Sequence, residues 1–286
     1  MRIDKYEIGS GYTFVIAEIG INHNGSLEIA KKLIIAAKNA GCDAVKFQKR
    51  TVEVVYTPQE LAAPRENPFG STNGDLKRGL ELSYEDYSEI DRFCHEQNII
   101  WSASPWDEES VDFLEMFNVP FYKVAAASLT DAGLLEKIMD TKKPVILSTG
   151  MSDLSEIDKA VALLDRDSLL IMRCVSQYPA SPENINLRAM KTLSERYGVP
   201  VGYSGHELDT VISIAAVGMG ACAVERHLTL DRKMWGSDHK ASIEPEEMET
   251  MIKSIRLVEI AMGDPTPCCL PVEEPVKAKL RRVNNI

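Results

Sequence analysis

Two lysines stand inside short apolar runs, where a charged side chain needs a partner. Lys46 lies in the run DAVKFQ and Lys123 in the run FYKVAA. A buried ammonium group is costly unless an anion meets it. Three interpretations are open: structural ion pairs with Glu18 or Glu225, a Schiff-base nucleophile of the aldolase type, or a site for a small dianion such as a phosphate or a carboxylate.

Hydroxyl side chains near the ends of neighbouring apolar runs favour the dianion. Ser104, Ser148 and Ser204 belong to the runs IIWSAS, PVILSTG and VPVGYSG. Ammonium and hydroxyl groups together are suitable donors for anionic oxygens. We therefore expect the two lysines and the three serines to converge on one anion.

Two histidines, His206 and His227, end consecutive apolar runs near the carboxyl terminus. Adjacent strands lie about 4.8 Å apart, so two imidazoles at equal depth can share one divalent cation. Two protein nitrogens leave coordination positions free, which suits a Lewis acid that polarises a carbonyl group. The alternative for each histidine is a hydrogen-bonded structural role. His95 is expected on a helix surface, and His23 is expected either to touch substrate or to pin its loop.

These runs alternate with stretches of helical period, and this alternation is the signature of βαβ units. Eight strand-then-helix units in about 250 residues predict a (β/α)8 TIM barrel, whose chemistry lies at the carboxyl ends of the strands. The predicted strands are 14–20, 43–48, 99–104, 121–126, 144–150, 169–175, 199–205 and 221–228. The predicted helices are 26–41, 83–98, 107–118, 131–141, 152–165, 186–198, 208–220 and 244–263.

Two segments fall outside this repeat. The opening residues are expected to form a short hairpin that seals the amino-terminal mouth of the barrel. Residues 49–82, with three prolines and three glycines, connect the second strand to its helix. That connection far exceeds the usual length of about 2 to 6 residues. We expect it to cover substrate, with an insertion or an interface element as the alternative.

The composition excludes several classes of protein. With 286 residues, 44% of them hydrophobic, and a formal net charge of −11, the chain is not built to hold nucleic acid or anionic lipid. No apolar run reaches the roughly 18 to 20 residues of a membrane span, and no signal core follows the amino terminus. A cytoplasmic location is therefore expected. The six cysteines form no CxxC pair, so neither a zinc knuckle nor a disulfide framework is indicated.

An ordered set of motifs, spread from about residue 10 to residue 264, resembles the sialic acid (N-acetylneuraminate) synthase family. The motifs are AEIGINHNG (17–25), VKFQ (45–48), LSTGM (147–151), YP (178–179), GYSGHE (202–207), ERHLTLDR (225–232) and GSDHKAS (236–242). The resemblance implies a (β/α)8 barrel that condenses phosphoenolpyruvate with an aldose, such as N-acetylmannosamine, mannose or a related sugar or its phosphate. The products would be a 2-keto-3-deoxy sugar acid and phosphate. It also implies Mn²⁺, or Mg²⁺ or Co²⁺, and a homodimer, with a higher oligomer as the alternative.

Carried over position by position, the resemblance implies three groups of site residues. The catalytic residues would be Glu18, Lys46, Lys123, His206 and His227, of which His206 and His227 would be the metal ligands. The phosphoenolpyruvate site would comprise Lys46, Gln48, Ser104, Lys123, Ser148 and Ser204. The sugar site would comprise Asn22, Tyr178, Asp238 and His239.

The implied chemistry agrees with the residue types. A metal would polarise the aldehyde of the open-chain sugar, and C3 of phosphoenolpyruvate would attack it. Glu18 would then stabilise the cation that develops at C2 or guide the water that adds there, and phosphate would leave by C–O cleavage.

The sequence departs from the family in three respects. Residues 125–128 read Ala-Ala-Ala-Ser where the family often has a serine and an acid, and Gly205 stands where many members have Asp. Residues 1–264 are expected to form the barrel and residues 265–286 a linker-like tail, without the antifreeze-like domain common in the family. A class I Schiff-base aldolase and a non-catalytic sugar-binding relative are the alternatives. The retained charged residues count against the second.

Overall fold

In the computed structural model, which describes residues 1–283, eight parallel strands form one sheet. The strands are β1 (Phe14–Gly20), β2 (Ala44–Lys49), β3 (Ile100–Pro105), β4 (Tyr122–Val124), β5 (Val145–Ser148), β6 (Leu169–Cys174), β7 (Val201–Gly205) and β8 (Ala223–His227). Their spatial order is β3-β2-β1-β8-β7-β6-β5-β4. The hydroxyl of Ser102 on β3 donates to the carbonyl of Phe121, just before β4, at 2.5 Å. The two ends of the sheet thus meet, and the predicted (β/α)8 barrel is confirmed.

A helix of 8 to 18 residues follows each strand and packs on the outside of the barrel. These helices are α1 (Leu27–Ala40), α2 (Tyr84–Gln97), α3 (Glu108–Glu115), α4 (Ala132–Asp140), α5 (Leu154–Ala162), α6 (Ala189–Tyr197), α7 (Val211–Gly218) and α8 (Pro245–Met262). The signals expected for α1 are present: the Ser26 hydroxyl accepts from the amide of Ile29, and Gly41, with φ of +93°, ends the helix. No helix among the described residues is long and apolar enough to cross a membrane.

The amino terminus closes one end of the lumen. Strands Arg2–Ile3 and Tyr6–Glu7 pair antiparallel. Ile3 and Ile8 are buried in an apolar cluster with lumen residues such as Phe14 and Phe121. This cluster fills the amino-terminal half of the barrel, so the predicted hairpin that seals this mouth is confirmed. The polar half of the lumen therefore lies at the carboxyl ends of the strands.

The long connection after β2 has its own secondary structure. It contains helices Val52–Val55, Pro58–Ala62 and Asn73–Leu80 and a hairpin of Pro64–Asn67 with Gly70–Thr72. The ring of Phe69 lies 6.3 Å from that of Trp235, in the loop after β8. A side chain at Gly25, where φ is +73°, would lie 2.1 Å from the carbonyl oxygen of Gly79. The connection therefore packs tightly on the loops that follow β1 and β8. Short helices Pro182–Ile185 and Glu274–Leu280 lie before α6 and in the carboxyl-terminal tail.

Candidate active site

Polar side chains at the carboxyl ends of the strands converge on a cavity of about 320 Å³. Because alternate residues of a strand face the same side, residues two apart point together into the lumen. Such pairs are Lys46 with Gln48, Ser104 with Trp106, Ser204 with His206, and Glu225 with His227. The predicted site residues that line the cavity are Glu18, Lys46, Gln48, Ser104, Lys123, Ser148, Tyr178, Ser204, His206 and His227.

Lys46 is buried and remains an ammonium ion. Its Nζ lies 2.5 Å from Oε2 of Glu18 and donates to the hydroxyl of Ser104 at 2.9 Å. Burial alone would lower the pKa of Lys46, but the carboxylates of Glu18 and Glu225 outweigh burial and raise it. A Schiff-base nucleophile needs a neutral amine at working pH, so this environment disfavours the aldolase interpretation.

Lys123 forms the equivalent cluster on the other side of β3. Its Nζ donates to the hydroxyl of Ser148 at 2.7 Å and lies 3.2 Å from Oε1 of Glu225. The hydroxyl of Ser204 donates to the same Glu225 oxygen at 3.2 Å. Burial would raise the pKa of Glu225, but the ammonium groups of Lys123 and Lys46 lower it to about 2. Glu225 is therefore ionised and links the two lysines.

The ion-pair and anion-binding interpretations are compatible in this geometry. Each lysine has one close carboxylate and one hydroxyl partner among the described residues: Glu18 and Ser104 for Lys46, and Glu225 and Ser148 for Lys123. An ammonium group carries three donors. One N–H of each lysine therefore remains for a ligand in the cavity.

The two histidines form the other side of the cavity, with Tyr178 over them. The ring centroids of His206 and His227 lie 5.5 Å apart, and the Tyr178 ring lies 4.0 Å from that of His206. Nδ1 of His206 lies 2.7 Å from the carbonyl of Val175, an arrangement in which Nδ1 donates and Nε2 is left as the acceptor. Burial and the neighbouring His227 lower the pKa of His206 to about 3, so the ring is neutral.

These features fit a divalent cation held by two imidazoles. Metal ligation requires neutral histidine, and metal-bound histidines usually donate their second N–H to an oxygen. His206 meets both conditions, and Nδ1 of the buried His227 has no hydrogen-bond partner within residues 1–283. That atom lies 4.0 Å from Oδ2 of Asp238. No cluster of three or more His, Cys, Asp or Glu in this part of the chain is suited to a metal.

A buried ion pair links the segments that carry the histidines. Arg226 precedes His227 and Glu207 follows His206. Both side chains are buried, and Nη1 of Arg226 lies 3.0 Å from Oε1 of Glu207. The hydroxyl of Tyr203 donates to the other carboxylate oxygen at 2.7 Å. These contacts fix the ends of β7 and β8 relative to each other.

The structure does not bring every predicted site residue to the cavity wall. Asn22 is buried and donates to the carbonyl of Leu228 and to the hydroxyl of Ser242, both at 2.8 Å. His239 is buried against the hydroxyl of Thr229, 2.7 Å away. Asp238 is not part of the cavity wall, although its Oδ2 lies 4.0 Å from Nδ1 of His227. The first two residues fasten the loop after β8, so they support the site from behind its wall.

The other expectations about the surroundings have mixed outcomes. None of residues 49–82 lines the cavity, so the long connection does not cover it in this structure. His23 is buried and accepts from the amide of Gly25 at 3.1 Å, which is the loop-pinning role. The side chain of His95 is exposed on α2, as predicted.

Several residues of the wall were not assigned to the site from sequence, among them Trp106, Met151, Cys174 and Ser176. Trp106 lines the cavity next to Ser104, and residues 125–127 add an alanine surface beyond Lys123. The two-residue period of β3 is a signal that identifies Trp106, because position 106 follows position 104 on the same face. A tryptophan near a strand end is otherwise read as a packing residue.

Comparisons with known proteins identify the family to which this chain is similar. A model of the NeuB family matches residues 33–266. Human N-acetylneuraminate-9-phosphate synthase is 40% identical, over 93% of this chain and 76% of its own. The N,N'-diacetyllegionaminic acid synthase of Legionella pneumophila is 39% identical, over 96% of this chain and 80% of its own. The solved structure of an N-acetylneuraminic acid synthetase from Leptospira borgpetersenii, in complex with citrate, superposes with a TM-score of 0.87 at 28% identity, over 99% of this chain and 98% of that one. The chain therefore belongs to the NeuB family of sialic acid synthases.

Proposed function

We propose that this protein condenses phosphoenolpyruvate with an aldose to form a nonulosonic or related 2-keto-3-deoxy sugar acid and phosphate. It would thus be a transferase of the EC 2.5.1 type. The observation that carries the proposal is one cavity with two charged lysines on one side and two adjacent imidazoles on the other. The synthase names of the relatives support the same reaction class.

The lysine side suits the phosphate and carboxylate of phosphoenolpyruvate. Lys46 and Lys123 flank β3 and each retains a donor, and the hydroxyls of Ser104 and Ser148 lie within 2.9 Å of them. Charge-assisted hydrogen bonds of this kind are about twice as strong as neutral ones. Gln48 is kept in place by Arg50, whose Nη2 donates to its side-chain carbonyl at 2.5 Å.

The histidine side suits the aldehyde of the acceptor. His206 and His227 would hold Mn²⁺, or Mg²⁺ or Co²⁺, which supplies Lewis-acid polarisation of a carbonyl group when it is bound. The exposed edge of Tyr178 lies next to both rings and can contact the sugar. Residues 125–127 bring no side-chain hydrogen-bonding group, which leaves the identity of the sugar open.

Glu18 lies between the two sides, and we assign to its carboxylate the role expected from the sequence. Its Oε1 accepts from Nε2 of Gln48 at 3.0 Å, and its other oxygen faces Lys46. When C3 of phosphoenolpyruvate forms the new bond to the aldehyde carbon, positive charge develops at C2. A buried carboxylate stabilises that charge and orients the water that adds to C2. The C2–O bond to phosphate then breaks, and the lysines stabilise the departing anion.

Phosphate release tests this proposal directly. The protein with Mn²⁺ and phosphoenolpyruvate is offered mannose, N-acetylmannosamine, their 6-phosphates and diamino hexoses in turn. At least one sugar should trigger stoichiometric release of phosphate and formation of a 2-keto acid. Covalent trapping of a keto substrate on Lys46 or Lys123 by borohydride, without phosphate release, would instead establish the aldolase alternative.

A further inference from the structure

The indole N–H of Trp106 is a buried donor without a partner. Trp106 lines the cavity, and its Nε1 makes no hydrogen bond within the described part of the chain. The indole N–H is a donor only, so an acceptor must come from outside the chain or the group stays unsatisfied. By contrast, Nε1 of Trp101, which lies on β3, donates to Asp91 at 2.8 Å.

The ring of Trp106 is held in a fixed position. The guanidinium of Arg50 lies 4.6 Å from the ring centroid, within the range of a cation–π contact. Arg50 is itself fixed, because its Nη1 donates to Glu81 at 3.1 Å and its Nη2 donates to Gln48. A buried donor on a fixed ring is preorganised for a ligand atom.

The position of Trp106 identifies the kind of ligand atom. β3 lies between β2 and β4, which carry Lys46 and Lys123, and Trp106 directly follows β3, so it stands in the middle of the anion side. Residues 125–127, which form the neighbouring part of the wall, have no side-chain donor that would compete with Trp106 for an oxygen of the ligand. The paired imidazoles stand across the lumen on β7 and β8.

We propose that Trp106 donates its indole N–H to an anionic oxygen of bound phosphoenolpyruvate. This inference rests on the proposed function, and it assigns to Trp106 a substrate contact beyond the lysine and serine set. It makes phosphoenolpyruvate affinity, and not sugar affinity, depend on the tryptophan.

The experiment compares Trp106→Phe with Trp101→Phe. The first variant keeps an aromatic ring for Arg50 and removes the unpartnered N–H of a residue that lines the cavity. The second removes an N–H that has a protein partner outside the cavity. Calorimetric titration with phosphoenolpyruvate in the presence of Mn²⁺ should show affinity about 10-fold or more weaker for Trp106→Phe, as for loss of a hydrogen bond to a charged group. Trp101→Phe should bind as the wild type does, and the acceptor KM of Trp106→Phe should be unchanged.

The outcomes separate this inference from the proposed function. Wild-type affinity in a folded Trp106→Phe variant, checked by circular dichroism, would overturn the inference and leave the function standing. A raised acceptor KM with unchanged phosphoenolpyruvate affinity would also overturn it, because the N–H would then serve the sugar. Failure of the wild type itself to bind phosphoenolpyruvate would refute the function.

Discussion

Removing Lys123 separates its structural role from its role in binding. In Lys123→Met, the carboxylate of Glu225 keeps the hydroxyl of Ser204, but its nearest remaining ammonium group is Lys46, at 3.9 Å. Breaking a buried pair on one side costs about 3–5 kcal/mol, because a buried charge loses its partner. We therefore expect the melting temperature to fall by roughly 10 °C.

The same variant should bind phosphoenolpyruvate poorly. A charge-assisted hydrogen bond contributes about 1.5–3 kcal/mol, and each 1.4 kcal/mol is about tenfold in affinity. Lys123→Met should therefore weaken binding by roughly 10- to 100-fold. Calorimetric titration measures this loss, and differential scanning calorimetry measures the stability.

The double variant Lys123→Met/Glu225→Gln decides between the two roles. Neutralising both partners removes the uncompensated charge, so most of the lost stability should return while phosphoenolpyruvate binding stays weak. Lys137→Met is the matched control, because Lys137 pairs with Asp112 on the surface, 2.7 Å away, and should change neither quantity much. Wild-type affinity in either Lys123 variant would refute the assignment of this lysine to the anion site.

Further perturbations test other parts of the site. His206→Ala and His227→Ala should each abolish tight Mn²⁺ binding measured by electron paramagnetic resonance. Chelation of the metal should abolish activity of the wild type. Retained Mn²⁺ binding in both variants would contradict the metal assignment. Arg226→Met should lower the free energy of unfolding by about 3–5 kcal/mol, because the buried carboxylate of Glu207 loses its partner. A change below about 1 kcal/mol would argue against a stabilising role for this ion pair. Burial lowers the pKa of His23 from 6.5 to about 4, so between these values the unfolded chain binds the proton that the folded chain does not. The free energy of unfolding should therefore fall as the pH decreases through this window, by up to about 3 kcal/mol from this residue. In His23→Gln, the free energy of unfolding should depend less on pH over the same range. An unchanged pH profile would contradict the burial argument.

Much of the barrel follows from local signals in the sequence. Buried parallel strands are continuously apolar, and a cap residue such as Ser26 and a stop residue such as Gly41 mark the helix ends. β4 is shorter than the predicted strand 121–126, because the chain turns into a short 3₁₀ helix at Ala126–Ser128. That turn presents alanines to the cavity, and an apolar run gives no sign of it.

The residues that line the cavity could be predicted where the two-residue alternation of a strand decides the direction of a side chain. They were harder to predict in loops, which have no such alternation. Lys46, Gln48 and His206 stand on or next to strands, and they line the cavity. Asn22 and His239 lie in loops, where the sequence does not show that neighbouring backbone and hydroxyl groups take up their polar atoms. The packing of residues 51–82 on the loops after β1 and β8 is likewise set by tertiary contacts.

The fate of the bridging oxygen of phosphoenolpyruvate tests the central claim most directly. The protein is incubated with Mn²⁺, the sugar that triggers phosphate release, and phosphoenolpyruvate labelled with ¹⁸O between C2 and phosphorus. C–O cleavage predicts that the released phosphate carries the label, seen as an isotope shift in its ³¹P resonance, and that release requires the sugar. Unlabelled phosphate, or release without any sugar, would contradict the account.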